Sequence, residues 1–428
     1  MSESVGRLRS LLLSVPAAIR HDFLATVAVQ WIWLAVGLIL FHLVARRGGV
    51  DGFAYYQIAR SAVATVQPLT MAGLGTGLQR YLPRCGARAP TLARRALGVQ
   101  IAIIAVVAVA VSLVSGPLAG LLGIDGNQAV GAIIVMLAGN CLCSTAVAAL
   151  RGAGQPGFAN ATLLAGLAVV PVVAFFLASG IESFLVLQGV GMLAAAGCAI
   201  LVIERTPASA TASEDTASLR RLVRYGLGRT PGDLALPALF AFPTFAVAHA
   251  LPLAGEAGYV GFATSAVTLI CSIFGLLTPV LLPRLSRLVD SPGGGASLHR
   301  SLLALPLVAA GVAAVIGGLL EILAPVLVRE FLGAEFGGAA GILRLSLLSA
   351  IPLAVFYAVR PTLDALQEVP VTTALLVGAL VVQVSLTYAL NPLLPPAAAA
   401  VLAMLVASAL LGAASYVALT RAMASRRA

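Results

Sequence analysis

The sequence predicts an all-α polytopic membrane protein with about twelve transmembrane helices in two six-helix bundles. Three observations predict it. The 428 residues are 60% hydrophobic and only 10% charged, with a mean hydropathy of +1.03, whereas a soluble protein carries about 25% charged residues. The apolar residues come in repeated runs of about 20, the length of a bilayer-spanning helix. None shows the period-2 alternation of a membrane β-barrel, so helices must satisfy the backbone polar groups in lipid. Finally, one unit occurs twice. The stretch Gly49 to Arg84 opens on a polar turn (Gly49, Asp51, Gly52) and a tyrosine pair (Tyr55, Tyr56), and closes on Arg80-Tyr81-Leu82-Pro83-Arg84. About 200 residues later, Gly255-Glu256-Ala257-Gly258-Tyr259 opens an apolar run ending Leu281-Leu282-Pro283-Arg284-Leu285-Ser286-Arg287.

In chain order, Arg7 to Arg20 is expected to lie on the membrane surface as an amphipathic segment. Its apolar run is short and meets Pro16 and Arg20, unlike a cleavable signal peptide. The first six spans are expected at Asp22–Ala45, Phe53–Leu82, Leu97–Leu122, Ala129–Leu150, Phe158–Ser179 and Ser183–Ile203. A polar linker rich in Ala, Ser and Thr follows over Glu204–Ser218. Leu219–Leu227, with Arg220, Arg221 and Arg224, resembles the N-terminal surface segment. The second six spans are expected at Asp233–Leu253, Tyr259–Leu282, Leu302–Val328, Ala339–Val359, Val371–Leu390 and Ala397–Leu419. The organisation is therefore a first bundle (1–203), a cytoplasmic linker (204–218) and a second bundle (219–428). An even number of spans per half gives both halves one orientation, related by a pseudo-twofold along the membrane normal. Two such bundles enclose a cleft.

Every one of the 26 basic residues is arginine. Without lysine there is neither a P-loop nor a Schiff-base nucleophile. With both termini inside, 21 arginines fall in cytoplasmic segments; only Arg46, Arg47 and Arg329 fall outside, and Arg60 and Arg344 lie within spans. That bias sets a cytoplasmic N- and C-terminus. It also explains the net charge of +10 without nucleic acid, because the arginines sit in short loops between apolar runs. Cys141, Cys143, Cys198 and Cys271 fall inside apolar runs as small hydrophobes; with Cys85 they have no disulfide or metal spacing. No catalytic set, nucleotide site or cofactor motif is visible, so the chain does not read as an enzyme.

The candidate functional residues are polar groups within the membrane. Arg60 lies about two turns into the second span, where an arginine costs about 2.5–3.5 kcal/mol on insertion scales. Either it faces the cleft and anchors an anionic head group, or it snorkels to the outer surface. Arg344 lies about one turn into the tenth span, near the outer side, with Glu321 of the ninth at similar depth, and a structural pair between them is its simpler reading. His42 and His249, near the outer ends of the first and seventh spans, could titrate near neutrality. Asp22 and Asp233 begin the same two spans, where capping and dipole compensation explain them. Asp22, His42, Asp233 and Glu321 are the candidates for ion coupling. Gln30, Trp31 and Trp33 sit in the middle of the first span, where packing is the simpler reading and a cleft wall the other. Gln67 and Pro68 interrupt the second span; Pro68, Pro171, Pro243 and Pro279 should kink theirs. Gly73, Gly75 and Gly77 permit a bend or a close helix approach.

Several landmarks resemble the polysaccharide-transporter, O-antigen flippase-like branch of the multidrug/oligosaccharidyl-lipid/polysaccharide (MOP) flippase superfamily. They are Gly52-Phe53-Ala54-Tyr55-Tyr56, the exit Gly73 to Leu82, the entry Tyr225 to Asp233, Gly333-Ala334-Glu335-Phe336, and Arg360 to Asp364. The resemblance implies a V-shaped, MATE-like pair of bundles in a bacterial inner membrane. It implies movement of an undecaprenyl-diphosphate-linked oligosaccharide between leaflets by alternating access, for lipopolysaccharide, O-antigen or exopolysaccharide synthesis. Arg60 matches the cationic cleft of that family, with Arg344 second; Gln30, Trp31 and Gln67 would line the cleft. No cofactor is implied beyond a coupling H+ or Na+. The implied partners are the lipid-linked glycan, membrane lipids, glycosyltransferases and a glycan polymerase, with no nucleotide. A cation-coupled drug exporter of the same superfamily is the alternative, and a membrane glycosyltransferase or polymerase a more distant one.

Overall fold

The computed structural model describes residues 17–85, 89–124, 127–205, 219, 222–223, 230–251, 255–275, 296–366 and 371–424. Residues 7–16, most of the linker, Pro279 and the basic exit at 281–287 lie outside the described residues.

One helical stretch, Ala17–Met71, contains both of the first two spans. Run straight it would be about 80 Å long, against roughly 30 Å of bilayer core. Instead Gly49 takes φ 60°, ψ −162°, backbone geometry essentially reserved for glycine. The chain reverses there, and Phe41 returns to pack on Phe53 and Tyr56 at ring-centroid distances of 6.1 and 6.2 Å. The stretch is a hairpin of α1 (17–48) and α2 (50–71). At the far end of α2, Gly73 at φ 66° turns the chain into a short helix, Leu74–Tyr81. A Cβ on Gly77 would come 2.8 Å from Leu222 Cγ. Gly73 thus makes the bend and Gly77 the close approach. Leu222 is fully buried in the core of the first bundle, with Leu219 and Val223 packed against it, so these residues join the first bundle, not the second.

The first bundle continues with α3 (Ala89–Leu113), separated at Val114 from Ser115–Leu122, and α4 (Asn127–Gly152). Then come α5, running Pro156–Leu164, a π turn at Ala165–Val169 and Val170–Leu177, and α6 (Ile181–Arg205). Helices α4 and α6 touch backbone to backbone. A Cβ on Gly189 would lie 2.5 Å from the Val135 carbonyl oxygen, and one on Gly139 would overlap the Gly189 carbonyl.

The second bundle holds α7 (Thr230–Ala250), α8 (Glu256–Gly275), α9 (Ala296–Leu327, ending in a π turn at Val328–Leu332), α10, α11 (Val371–Leu390) and α12 (Pro396–Ala424). Helix α10 is Ala339–Leu347 and Ala350–Leu366, bent by 40° at the break. Among the described residues, ten helices are long and apolar enough to cross a membrane and the bent pair makes an eleventh. Counting the hairpin as two gives the expected twelve. Of the cysteines, Cys141, Cys143 and Cys271 are buried, whereas Cys198 is exposed on α6.

Two prolines in the second bundle are answered by side chains. Proline has no N–H to give the carbonyl four residues back. Pro243 leaves the Leu239 carbonyl without its donor, and the fully buried Gln383 of α11 supplies one, Nε2 to oxygen at 3.0 Å. Pro325 likewise frees the Glu321 carbonyl, and Arg344 of α10 donates to it through Nε at 3.1 Å. Gln383→Leu should therefore strand a buried carbonyl and cost about 1–3 kcal/mol, read as a lower melting temperature in detergent. In a Pro243→Ala background, where residue 243 regains its N–H, the same substitution should cost much less. Equal losses in the two backgrounds would refute the pairing.

Candidate functional site

Helices α2 and α8 open the two repeats, and they lie against each other at the arginine-poor end. An offset of 204 residues maps Tyr55 onto Tyr259, Ala54 onto Gly258 and Gln57 onto Gly261. Two of the pairs so mapped, Ala54 with Gly258 and Gln57 with Gly261, touch. A Cβ on Gly258 would lie 2.9 Å from the Ala54 Cα, and one on Gly261 would lie 2.6 Å from the Gln57 Cβ. Equivalent residues meet only on a twofold axis, so the pseudo-twofold runs through this seam. Next to it Phe41, Phe53 and Phe262 form an aromatic plug across the lobes. His42 Nδ1 meets the Phe331 carbonyl oxygen, and Arg46 donates to the Glu330 carbonyl at 3.4 Å.

Arg60 sits immediately beneath the seam. Its guanidinium carbon lies 4.5 Å from the Phe41 ring centroid and 5.8 Å from that of Tyr56. Nη1 donates to Gln57 Oε1 at 3.1 Å and, across the lobe boundary, to Ser265 Oγ at 3.4 Å. No ion pair among the described residues involves Arg60. The side chain therefore faces the interlobe space and is not stretched to the outer surface. Gln57 is 1% exposed, and its Nε2 has no partner. Beyond this level the facing stripes part. Ala54 and Gln57 are buried but Ala64 on the same face is exposed; Gly258 and Gly261 are buried but Thr268 is exposed. The lobes form a V, closed at the arginine-poor end and opening toward the arginine-rich end, with Arg60 at its apex.

No protein-family model and no curated protein matches the chain. Solved structures do. The chain is similar to an inward-facing multidrug resistance MATE family transporter of the MOP superfamily, at 14% identity over 94% of this chain and 98% of that one, with a TM-score of 0.72. It is similar to the lipid II flippase MurJ in an inward closed conformation, at 13% identity over 92% and 87%, TM-score 0.69. Against an outward-facing MATE family transporter the values are 14%, 94% and 96%, with a TM-score of 0.56. The chain has the fold of the MOP-superfamily transporters.

The other candidates distribute unevenly over this fold. Arg344 is exposed on the second lobe and serves the Glu321 carbonyl. It makes no ion pair with the Glu321 carboxylate, and it is not brought to Arg60. Pro325, which has no N–H to give that carbonyl, leaves it open to Arg344. Gln30 is half-buried and shares a face of α1 with Phe41, three turns further from the seam. Trp31 and Trp33 are 44% and 40% exposed, which corrects the packing expectation. Two positions apart on a helix, they point to opposite sides and cannot wall one cleft together. Gln67 turns into the first lobe, donating to Ser144 Oγ at 3.3 Å. His249 is exposed, and the Asp22 side chain is outside the described residues. Asp233 is engaged: Arg360 lies 3.5 Å from it and 3.7 Å from Asp364, which accepts a hydrogen bond from Thr372. Sequence reasoning missed Phe41, Tyr56, Gln57 and Ser265 around Arg60. Gln57, one helical turn before Arg60, carried the only local signal.

A cavity of about 380 Å³ lies on the arginine-poor side, lined by Asp51, Tyr55 and Glu182 among others. Two carboxylates would repel an anion, so this is not Arg60's site. In a cysteine-free background, His42→Cys with Phe331→Cys, whose rings lie 5.3 Å apart at the closed end, should cross-link with a short bis-thiol reagent. The pair Ala64→Cys with Thr268→Cys, on the parted stripes, should not. Efficient cross-linking of the second pair alone would overturn the closed-end assignment.

Proposed function

We propose that this protein is a flippase. It moves an undecaprenyl-diphosphate-linked oligosaccharide across a bacterial inner membrane by alternating access, for surface polysaccharide synthesis. The observation that carries this reading is Arg60, a guanidinium at the apex of the interlobe V with aromatic and neutral polar partners but no carboxylate. Arginine stays protonated in proteins and binds phosphate bidentately, so an anionic head group is the ligand it fits.

In this reading the arginine-rich end is cytoplasmic and the described state is inward-open. The head group enters between the lobes while the lipid tail stays in the bilayer. The diphosphate draws Arg60 off the Phe41 ring. The α2–α8 seam then parts and the inner end closes, and the head group leaves on the other side. An H+ or Na+ gradient, or the membrane potential, drives the cycle. Asp233 is a weak coupling group because Arg360 already neutralises it; His42, bridging the lobes at the closed end, is better placed. Glycosyltransferases would supply the substrate and a polymerase would consume it.

A second reading, a cation-coupled multidrug exporter, draws on the likeness to a MATE family transporter. A cationic drug, however, would meet Arg60 at the apex. Reconstituted vesicles separate the two. Wild type should translocate a fluorescent undecaprenyl-diphosphate-linked glycan, and Arg60→Gln should slow this by about tenfold or more. Arg60→Lys, which keeps charge but loses the bidentate fork, should fall between. Gradient-dependent transport of a cationic dye, with no glycan movement, would instead establish the exporter.

A further inference from the structure

We propose that the face of α8 below the seam is a subsite for the hydroxyl-rich, sugar part of the head group. It would bind through Thr268 and Ser272 while Arg60 and Gln57 hold the anionic part. This rests on the flippase reading above and names the chemistry of the second wall of the same cleft.

The stripe that begins as Gly258 and Gly261 continues as Ser265, Thr268 and Ser272. All three hydroxyls spend their proton on their own helix. Ser265 donates to Gly261 O at 2.7 Å, Thr268 to Thr264 O at 2.8 Å and Ser272 to Leu269 O at 2.7 Å. What they present to the cleft is acceptor lone pairs. The opposite wall is the reverse. Arg60 offers only N–H groups, and Gln57 adds a buried amide nitrogen with no partner. The cleft thus has a donor wall on α2 and an acceptor wall on α8.

A phosphate has only acceptors, so it belongs on the α2 wall. Sugar hydroxyls can donate, so they are served by the α8 wall. The register fits one molecule carrying both. Ser265 lies at the level of Arg60, and Thr268 and Ser272 follow about 4.5 and 10 Å further toward the open end. Thr268 is exposed and Ser272 half-buried, so both are within reach of a ligand whose charged end is at the apex. An organic cation could also approach the acceptors, but Arg60 would oppose it.

The test is binding to the purified full chain of two probes, undecaprenyl diphosphate and the same lipid carrying a disaccharide. Wild type should prefer the glycosylated lipid. The double variant Thr268→Val, Ser272→Ala should bind the bare lipid as wild type does but lose about tenfold in affinity for the glycosylated one. Thr268→Ser, which keeps the acceptor, should retain the preference and controls for misfolding. Equal losses for both probes, or no loss for either, would overturn the subsite while leaving the anion site standing. If wild type bound neither probe, or Arg60→Gln bound both unchanged, the flippase reading itself would fall.

Discussion

The structure depends on an absence of space between α2 and α8. At Gly258 and Gly261 there is no room for a Cβ, because the backbone of one repeat's opening helix lies on that of the other. A pseudo-twofold axis brings equivalent residues face to face, and a glycine in each pair lets the helices close. That contact sets everything beneath it. It places Ser265 opposite Arg60, brings the rings of Phe41 and Phe262 together across the lobes, and makes the lobes diverge from there. A plug of aromatic rings and the contacts of His42 and Arg46 with the end of α9 reinforce the closure.

Magnitudes explain why the charge at the apex can stay unpaired. Placing an arginine in a span costs about 2.5–3.5 kcal/mol. Two aromatic faces within about 6 Å return roughly 1–2 kcal/mol each when desolvated, and hydrogen bonds to a charged group about 1.5–3 kcal/mol each. Arg60 has both kinds of partner, so burial is tolerated without a carboxylate. Two arginines of the second lobe have other partners: Arg344 a carbonyl that Pro325 frees, Arg360 the carboxylates of Asp233 and Asp364. Of the three, Arg60 alone holds an unpaired charge at the apex between the lobes.

The twelve spans were legible because hydropathy is local. The eleventh span, Val371–Leu390, agrees end to end, and the repeat announced itself at Tyr55 and Tyr259. For Arg60 two readings stood open, facing the cleft or snorkelling outward, and the contacts with Phe41 and Ser265 are what favour the cleft. Its partners were not legible, because Phe41 reaches it only through the reversal at Gly49 and Ser265 only through the meeting of repeats. Arg344 shows the same limit. Pro325 says which carbonyl lacks a donor, four residues back, but only the packing of α10 on α9 says which side chain fills it. Trp31 and Trp33 misled because mid-span tryptophan resembles core, and burial is a property of neighbouring helices, which the local sequence does not encode.

The central claim is that an uncompensated guanidinium at the apex receives the anionic head group. A structure of the protein with an undecaprenyl-diphosphate-linked glycan bound tests it most directly. The account expects diphosphate oxygens within hydrogen-bond distance of Arg60, whose side chain has left the Phe41 ring. Diphosphate bound elsewhere, with Arg60 still stacked on Phe41 and bonded to Gln57, would contradict it.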